Sequence, residues 1–177
     1  MRKIALGFVI ILSGCISANI TSNKAPDFNE KIGRLYIVVR GSDNAKHFFD
    51  SFNNYLDQSL KSKGVETSYH YFGPLSLESE EDVDNKIKEF GPKLLMTIQQ
   101  TESRNTIHRH ETSLTTTNTG ASFDIRLIRP DSKSTMWRAN LSSFASYGLS
   151  GSAKSSVDKL IEKLTTDGLL PRTGNNK

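Results

Sequence analysis

The chain has 177 residues, and its 23 basic and 19 acidic side chains leave a net charge of +4, so no strongly basic surface for nucleic acid is indicated. The single cysteine excludes an internal disulfide and a cysteine-based metal site. The length suits one domain with an adequate core, without sustained repeats or a second hydrophobic span.

The first segment has the pattern of an export signal. Arg2 and Lys3 precede an apolar run over residues 4–12. That run is far shorter than the roughly 20 apolar residues that span a bilayer, so it predicts the hydrophobic region of a signal peptide over residues 1–14. The alternative is a membrane or core helix that happens to end in cysteine.

The four residues that follow this run, Leu12-Ser13-Gly14-Cys15, resemble the lipobox of bacterial lipoproteins. The resemblance implies cleavage between Gly14 and Cys15 and a diacylglyceryl group on the Cys15 thiol. Ile16, rather than Asp, follows the cysteine, which by the same resemblance implies sorting to the periplasmic face of the outer membrane. Cleavage would leave 163 residues with 21 basic and 19 acidic side chains, a net charge of +2.

The mature chain divides by composition into three parts. Residues 15–31 are polar and predict a lipidated cysteine followed by a flexible linker, with an early strand as the alternative because of Ile20 and Phe28. Residues 32–170 predict a single α/β domain, and residues 171–177 a polar tail.

Within the domain, hydrophobic periodicity predicts the elements. Strands are expected near residues 35–39, 65–71, 94–98, 122–128 and 136–141, and helices near residues 43–63, 79–90 and 150–166. The Thr-rich residues 101–120 suit a strand extension, a mobile loop or both. The order β-α-β-α-β-β-β-α predicts a mixed sheet in a two-layer or three-layer α/β sandwich.

A second resemblance covers the late hairpin and the last helix. The strand Phe123-Asp124-Ile125-Arg126-Leu127, then Met136-Trp137-Arg138-Ala139, resembles a hairpin of small bacterial envelope lipoproteins, although Ser132-Lys133-Ser134 replaces their usual turn glycine. The resemblance implies an anticodon-binding-domain-like sandwich. Such proteins include peptidoglycan-synthase activators and components of curli-type and exopolysaccharide export.

Catalytic signals are weak, and no enzyme is predicted. No GxSxG nucleophile turn surrounds any serine. His108 and His110 would share a face of a strand, and His70 could add a third zinc ligand, but two exposed histidines in a loop are the commoner arrangement. No metal or other cofactor is therefore predicted.

Two functions remain open. The first is a lipid-anchored, non-catalytic interaction module for a cell-envelope protein complex, with no nucleic acid as partner. The second is a periplasmic lipoprotein that binds a small ligand, a glycan or a metal. The expected partner surface consists of basic residues in and near the late hairpin: Arg109, Arg126, Arg129, Lys133 and Arg138.

Overall fold

The computed structural model describes residues 16–109, 115–145 and 148–172. Its strands are β1 (Ile16–Lys24), β2 (Arg34–Arg40), β3 (Glu66–Phe72), β4 (Leu94–Arg109), β5 (Thr115–Ile128) and β6 (Thr135–Ala145). Its helices are α1 (Lys46–Lys61), α2 (Glu80–Phe90) and α3 (Ala153–Thr166). The predicted signal peptide, the lipidation residue Cys15 and His110 lie outside the described residues.

The six strands form one open sheet in the order β1-β6-β5-β4-β2-β3. β2 is parallel to both β3 and β4, as expected for strands joined by the crossover helices α1 and α2. β4, β5, β6 and β1 are successively antiparallel. The predicted mixed α/β sheet is therefore confirmed.

Helices cover the two faces of this sheet unequally. α1 and α3 pack on one face and enclose the main core, where the rings of Phe48 and Phe123 stack with centroids 5.0 Å apart. α2 packs on the other face through Val83, which meets Tyr36 and Val38 of β2. The continuous apolar run of β2 is explained by burial on both sides. The two helices α1 and α3, the sheet and α2 therefore form three layers. The third layer, α2, covers only the half of the sheet that contains β2.

β1 corrects the prediction of a flexible linker. It pairs with β6 along its whole length, from Ile16 opposite Ala145 to Lys24 opposite Trp137. Ala18 and Ile20 pack against the main core, while the alternate side chains are exposed. Polar composition misled the prediction, because an edge strand that buries one face needs few apolar residues. The alternative of an early strand is confirmed.

The chain that follows β1 is also part of the domain. Phe28 is fully buried and Ile32 nearly so, and the Ile32 amide donates to the Leu169 carbonyl beyond α3. This contact ties the start of the predicted domain to the end of its last helix. The predicted linker therefore contributes core residues.

The Thr-rich segment is mainly strand. β4 continues to Arg109 and β5 begins at Thr115, with a bulge in the pairing between Gln100 and Glu102. The alternative of a strand extension is thus confirmed for residues 101–109 and 115–120. Within the described ranges, no helix is both long and apolar enough to cross a membrane.

Candidate functional site

Two predicted arginines meet over one aspartate on the face of the sheet opposite α1 and α3. Arg126 of β5 lies directly across from Arg138 of β6 in the strand register. Arg126 Nε donates to Asp124 Oδ2 and Arg138 Nε to Oδ1, each at 2.7 Å. One carboxylate therefore holds two guanidinium groups on neighbouring strands.

The electrostatics keep this triad ionised. Asp124 is only 8% exposed. Burial raises the pKa of its carboxyl, but the hydrogen bonds and charges of Arg138 and Arg126 more than offset this, and the pKa lies below its ordinary value. The same contact raises the pKa of Arg138. Two cations share one anion, so the group carries one net positive charge.

The face around the triad is polar and has no helix over it in the described part of the chain. Across β1, β6 and β5, Thr21, Asn140 and Asp124 form one row, and the next row contains Ser142 and Ser122. A shallow depression of about 520 Å³ lies over these strands. We call this surface the open face; it comprises the outward side chains of β1, β6 and β5.

One large apolar side chain interrupts the open face. Phe144 of β6 is 41% exposed and lies opposite Gly120 of β5. A Cβ on Gly120 would lie 2.4 Å from Cε1 of the Phe144 ring, so the ring rests directly over the glycine. An aromatic ring is thereby held against the sheet with part of its surface in solvent.

The other predicted partner residues do not join this group. Arg129 lies beyond β5 and pairs with Glu30 on the chain before β2. Lys133 occupies the β5–β6 turn with φ of 55°, in the left-handed region where the turn glycine of the resembling lipoproteins would fit without strain. Arg109 ends β4, and its side chain is not among those described. The predicted basic surface is thus divided, and only Arg126 and Arg138 share a site.

Sequence reasoning missed a second depression, of about 560 Å³, at the carboxyl ends of the parallel strands. Arg40 there donates to Glu80 at 2.8 Å and lies over the Phe72 ring. The backbone amide and the hydroxyl of Ser42 both donate to Gln100 Oε1, at 3.1 and 3.0 Å. The only sequence signal was the β-α-β order, which places a crevice at this edge. Its polar groups mainly bind one another.

Two of the candidate histidine ligands, His70 and His108, are separated along the sheet. His70 lies on the edge strand β3, level with Val38 of β2 and thus with Thr97 of β4. His108 lies eleven positions further along β4, about 35 Å away at the usual rise per residue. The idea that His70 completes a zinc site with His108 is therefore wrong. His70 Nε2 instead lies 3.2 Å from Glu78 Oε2, and no potential metal cluster occurs among the described side chains.

One solved bacterial protein shares the fold, and two bacterial lipoproteins are similar to this chain at lower TM-scores. The PelC dodecamer from Paraburkholderia phytofirmans matches with a TM-score of 0.53 and 13% identity, over 82% of this chain and 96% of PelC. Lipoprotein GNA1162 from Neisseria meningitidis matches with a TM-score of 0.46 and 12% identity, over 76% of this chain and 99% of its own. A minor lipoprotein from Acinetobacter baumannii matches with a TM-score of 0.43 and 12% identity, over 78% of this chain and 96% of its own.

At this identity the likeness to PelC shows the fold alone. No protein-family model matches the chain, and no curated protein matches it by sequence. The fold by itself therefore assigns no function to this chain.

Proposed function

We propose that the protein is a lipid-anchored, non-catalytic interaction module of the bacterial cell envelope, held at the periplasmic face of the outer membrane. One observation carries the proposal: β1 begins at Ile16, the residue after the lipobox-like Cys15. An acyl anchor on Cys15 would therefore join the sheet without a flexible spacer.

This arrangement would restrict how the domain meets its partners. Two or three acyl chains give stable membrane attachment, whereas one is marginal. A domain joined to them at a strand end has little freedom of reach, which raises its effective concentration for partners in the same membrane. The open face begins at this strand, so we assign it as the partner surface, with Arg126 and Arg138 at its far end.

A non-catalytic role is consistent with the chemistry of both depressions. In the open face, Asp124 is neutralised by Arg126 and Arg138. In the crevice, Arg40 is paired with Glu80. Ion pairs of this kind hold charges in place and offer no free general base or nucleophile.

Self-assembly is part of the proposal. PelC, which shares the fold, is a dodecamer in its crystals, and the same sandwich here leaves the outer edges of β1 and β3 without a neighbouring strand in the described sheet. Light scattering of the mature protein tests this. A discrete mass of several chains is expected, and a strictly monomeric mass at high concentration would contradict it.

The partner is tested by crosslinking in intact cells followed by affinity capture and mass spectrometry. The informative variant replaces the triad with neutral residues of similar shape, Asp124→Asn, Arg126→Gln and Arg138→Gln, so that no charge is left buried without a partner. Its control neutralises an exposed pair on α3, Lys154→Gln with Asp158→Asn. We expect one dominant envelope protein that is lost in the triad variant and retained in the control.

Two results would contradict the proposal. Capture of only abundant, non-specifically bound proteins would contradict the docking role. Retention of the Cys15→Ala variant in the membrane fraction would show that the lipobox interpretation is wrong.

The second candidate function, ligand binding, is favoured by the exposed Phe144 and the depression beside Asp124. A metal as the ligand is not favoured, because His70 does not supply the third metal ligand that was expected of it.

A further inference from the structure

We infer that the open face binds an acidic glycan chain, which contacts Phe144 at one end and the Arg126–Arg138 pair at the other. The inference rests on the envelope location proposed above, because glycans are present there.

Phe144 provides a stacking surface. Its ring rests over Gly120, and because a Cβ there would lie 2.4 Å from ring Cε1, only glycine lets the ring lie this close to the sheet. The face of an aromatic ring carries partial negative charge, which attracts the C–H groups on the flat face of a sugar. A ring that is already held against the sheet loses little conformational freedom when a sugar stacks on it.

The arginines supply charge complementarity at the opposite end. Arg138 holds Asp124 through its Nε, and Arg126 does so through both its Nε and its Nη2. The side chains of Arg138 and Arg126 remain 61% and 41% exposed, and the triad has one uncompensated positive charge. Guanidinium groups bind carboxylates and phosphates with paired hydrogen bonds. An anionic group on the ligand fits this end.

Small polar side chains connect the two ends. Between Arg138 and Phe144 on the same side of β6 lie Asn140 and Ser142, and the Ser142 hydroxyl is 3.5 Å from that of Ser122. Hydroxyl and amide groups both donate and accept hydrogen bonds, as sugar hydroxyls require. Six residues of strand span about 20 Å. A ligand that reaches both ends must be an extended chain.

The composition of the open face suits a glycan chain. The buried centre of a protein interface is about 65% apolar and depleted in charge. Here a single aromatic ring stands among hydroxyls, amides and an ion-paired triad. This balance matches an alternating polar and apolar ligand.

Calorimetric titration of the detergent-solubilised mature protein tests the inference, with oligogalacturonate as the acidic probe and maltoheptaose as the neutral one. We expect the acidic chain to bind and the neutral chain to bind at least tenfold more weakly. Phe144→Ala should weaken acidic binding at least tenfold and Arg138→Gln at least fivefold. Raised salt should weaken binding further.

Matched controls separate the site from general effects. Tyr55→Ala removes a ring of similar exposure, 40%, from α1. Lys154→Gln removes an ion-paired cation from α3. Both should change affinity less than twofold. Gly120→Ala should weaken binding by displacing the Phe144 ring, and thermal melting of each variant checks that the fold persists.

The outcomes distinguish this inference from the docking role. Absence of binding, or equal binding by Phe144→Ala and wild type, overturns the glycan site even where a protein partner is captured. Equal affinity for both probes overturns the requirement for an anionic ligand. Acidic-glycan binding without any captured protein supports the glycan site and removes the docking role.

Discussion

At the scale of single residues, Asp167 joins three elements. Its Oδ2 accepts from the Ser22 hydroxyl at 2.5 Å and from Trp137 Nε1 at 2.7 Å, and its Oδ1 lies 3.0 Å from Lys163 Nζ. Burial raises the pKa of this carboxyl, but the hydrogen bonds from Ser22, Trp137 and Lys163 more than offset it and leave the pKa below its ordinary 3.8. Asp167 is thus an ionised link between α3, β1 and β6.

We expect Asp167→Ala to lower the free energy of unfolding at neutral pH by about 2 kcal/mol, because it leaves partly buried donors on Trp137 and Ser22 unpaired. Urea unfolding measures this. The control is Asp158→Ala, which removes an exposed carboxylate paired with Lys154. It should lower the free energy of unfolding by less than about 0.5 kcal/mol. Equal losses in the two variants would contradict the linking role.

The same carboxylate predicts a pH dependence. The folded-state pKa of Asp167 is depressed, so its contribution to stability is complete above the ordinary value near 3.8 and is lost as the pH falls through the folded-state pKa. Urea unfolding between about pH 6 and pH 2 should therefore show a shallower acid loss in Asp167→Ala than in wild type. Parallel stability curves for the variant and the wild type would exclude Asp167 as a source of the acid loss of stability.

Gly41 gives a third prediction at this scale. A Cβ there would lie 2.4 Å from Cε2 of the buried Phe49 ring, whereas a Cβ on Gly33 would meet nothing within 4 Å. Gly41→Ala should lower the free energy of unfolding by about 1–3 kcal/mol through overpacking. Gly33→Ala is the control and should be neutral or slightly stabilising. Thermal melting that ranked Gly33→Ala as the more damaging change would contradict the packing argument.

At the scale of elements, β1 completes one side of the sheet. Its inward residues Ala18 and Ile20 cover the core beside α3, while Asn19 points outward. Without β1, the backbone edge of β6 would be exposed and free to pair with another chain. The strand is therefore part of the stable domain as well as its connection to the proposed anchor.

This assignment predicts unequal effects on stability at adjacent positions of β1. Ile20→Ala should lower the free energy of unfolding by about 1–2 kcal/mol, since Ile20 is only partly buried. The free energy of unfolding of Asn19→Ala should stay within about 0.5 kcal/mol of the wild-type value. Chemical denaturation of both variants measures the difference. Two neutral substitutions would indicate that β1 is detached in solution and that the linker prediction was right.

At the scale of the whole molecule, anchor and fold should be separable. A chain that begins at Ile16 keeps every described strand and helix but lacks Cys15. Exported behind a signal peptide that has no lipobox, this chain should be recovered in the periplasmic fraction, with a melting temperature within a few degrees of the mature lipidated protein. Cell fractionation and circular dichroism measure these two properties. An unfolded product would show that the lipid is needed for stability.

The sequence alone determined those features that depend on local periodicity. Helical stripes and strand alternation predicted α1, α2, α3 and five strands, because each pattern records which side of an element is buried. The lipobox-like residues before Ile16 also required no structure, and the lipid anchor that they imply stays a prediction.

Tertiary structure decided which elements became neighbours. β1 is a strand because β6 offers it hydrogen bonds and the core receives Ile20, and neither fact is visible in a polar segment. Arg126 and Arg138 meet over Asp124 through the register of β5 and β6, while His70 and His108 are far apart along the sheet. Local sequence specifies the face that a side chain occupies, but long-range pairing and burial determine what lies beside it.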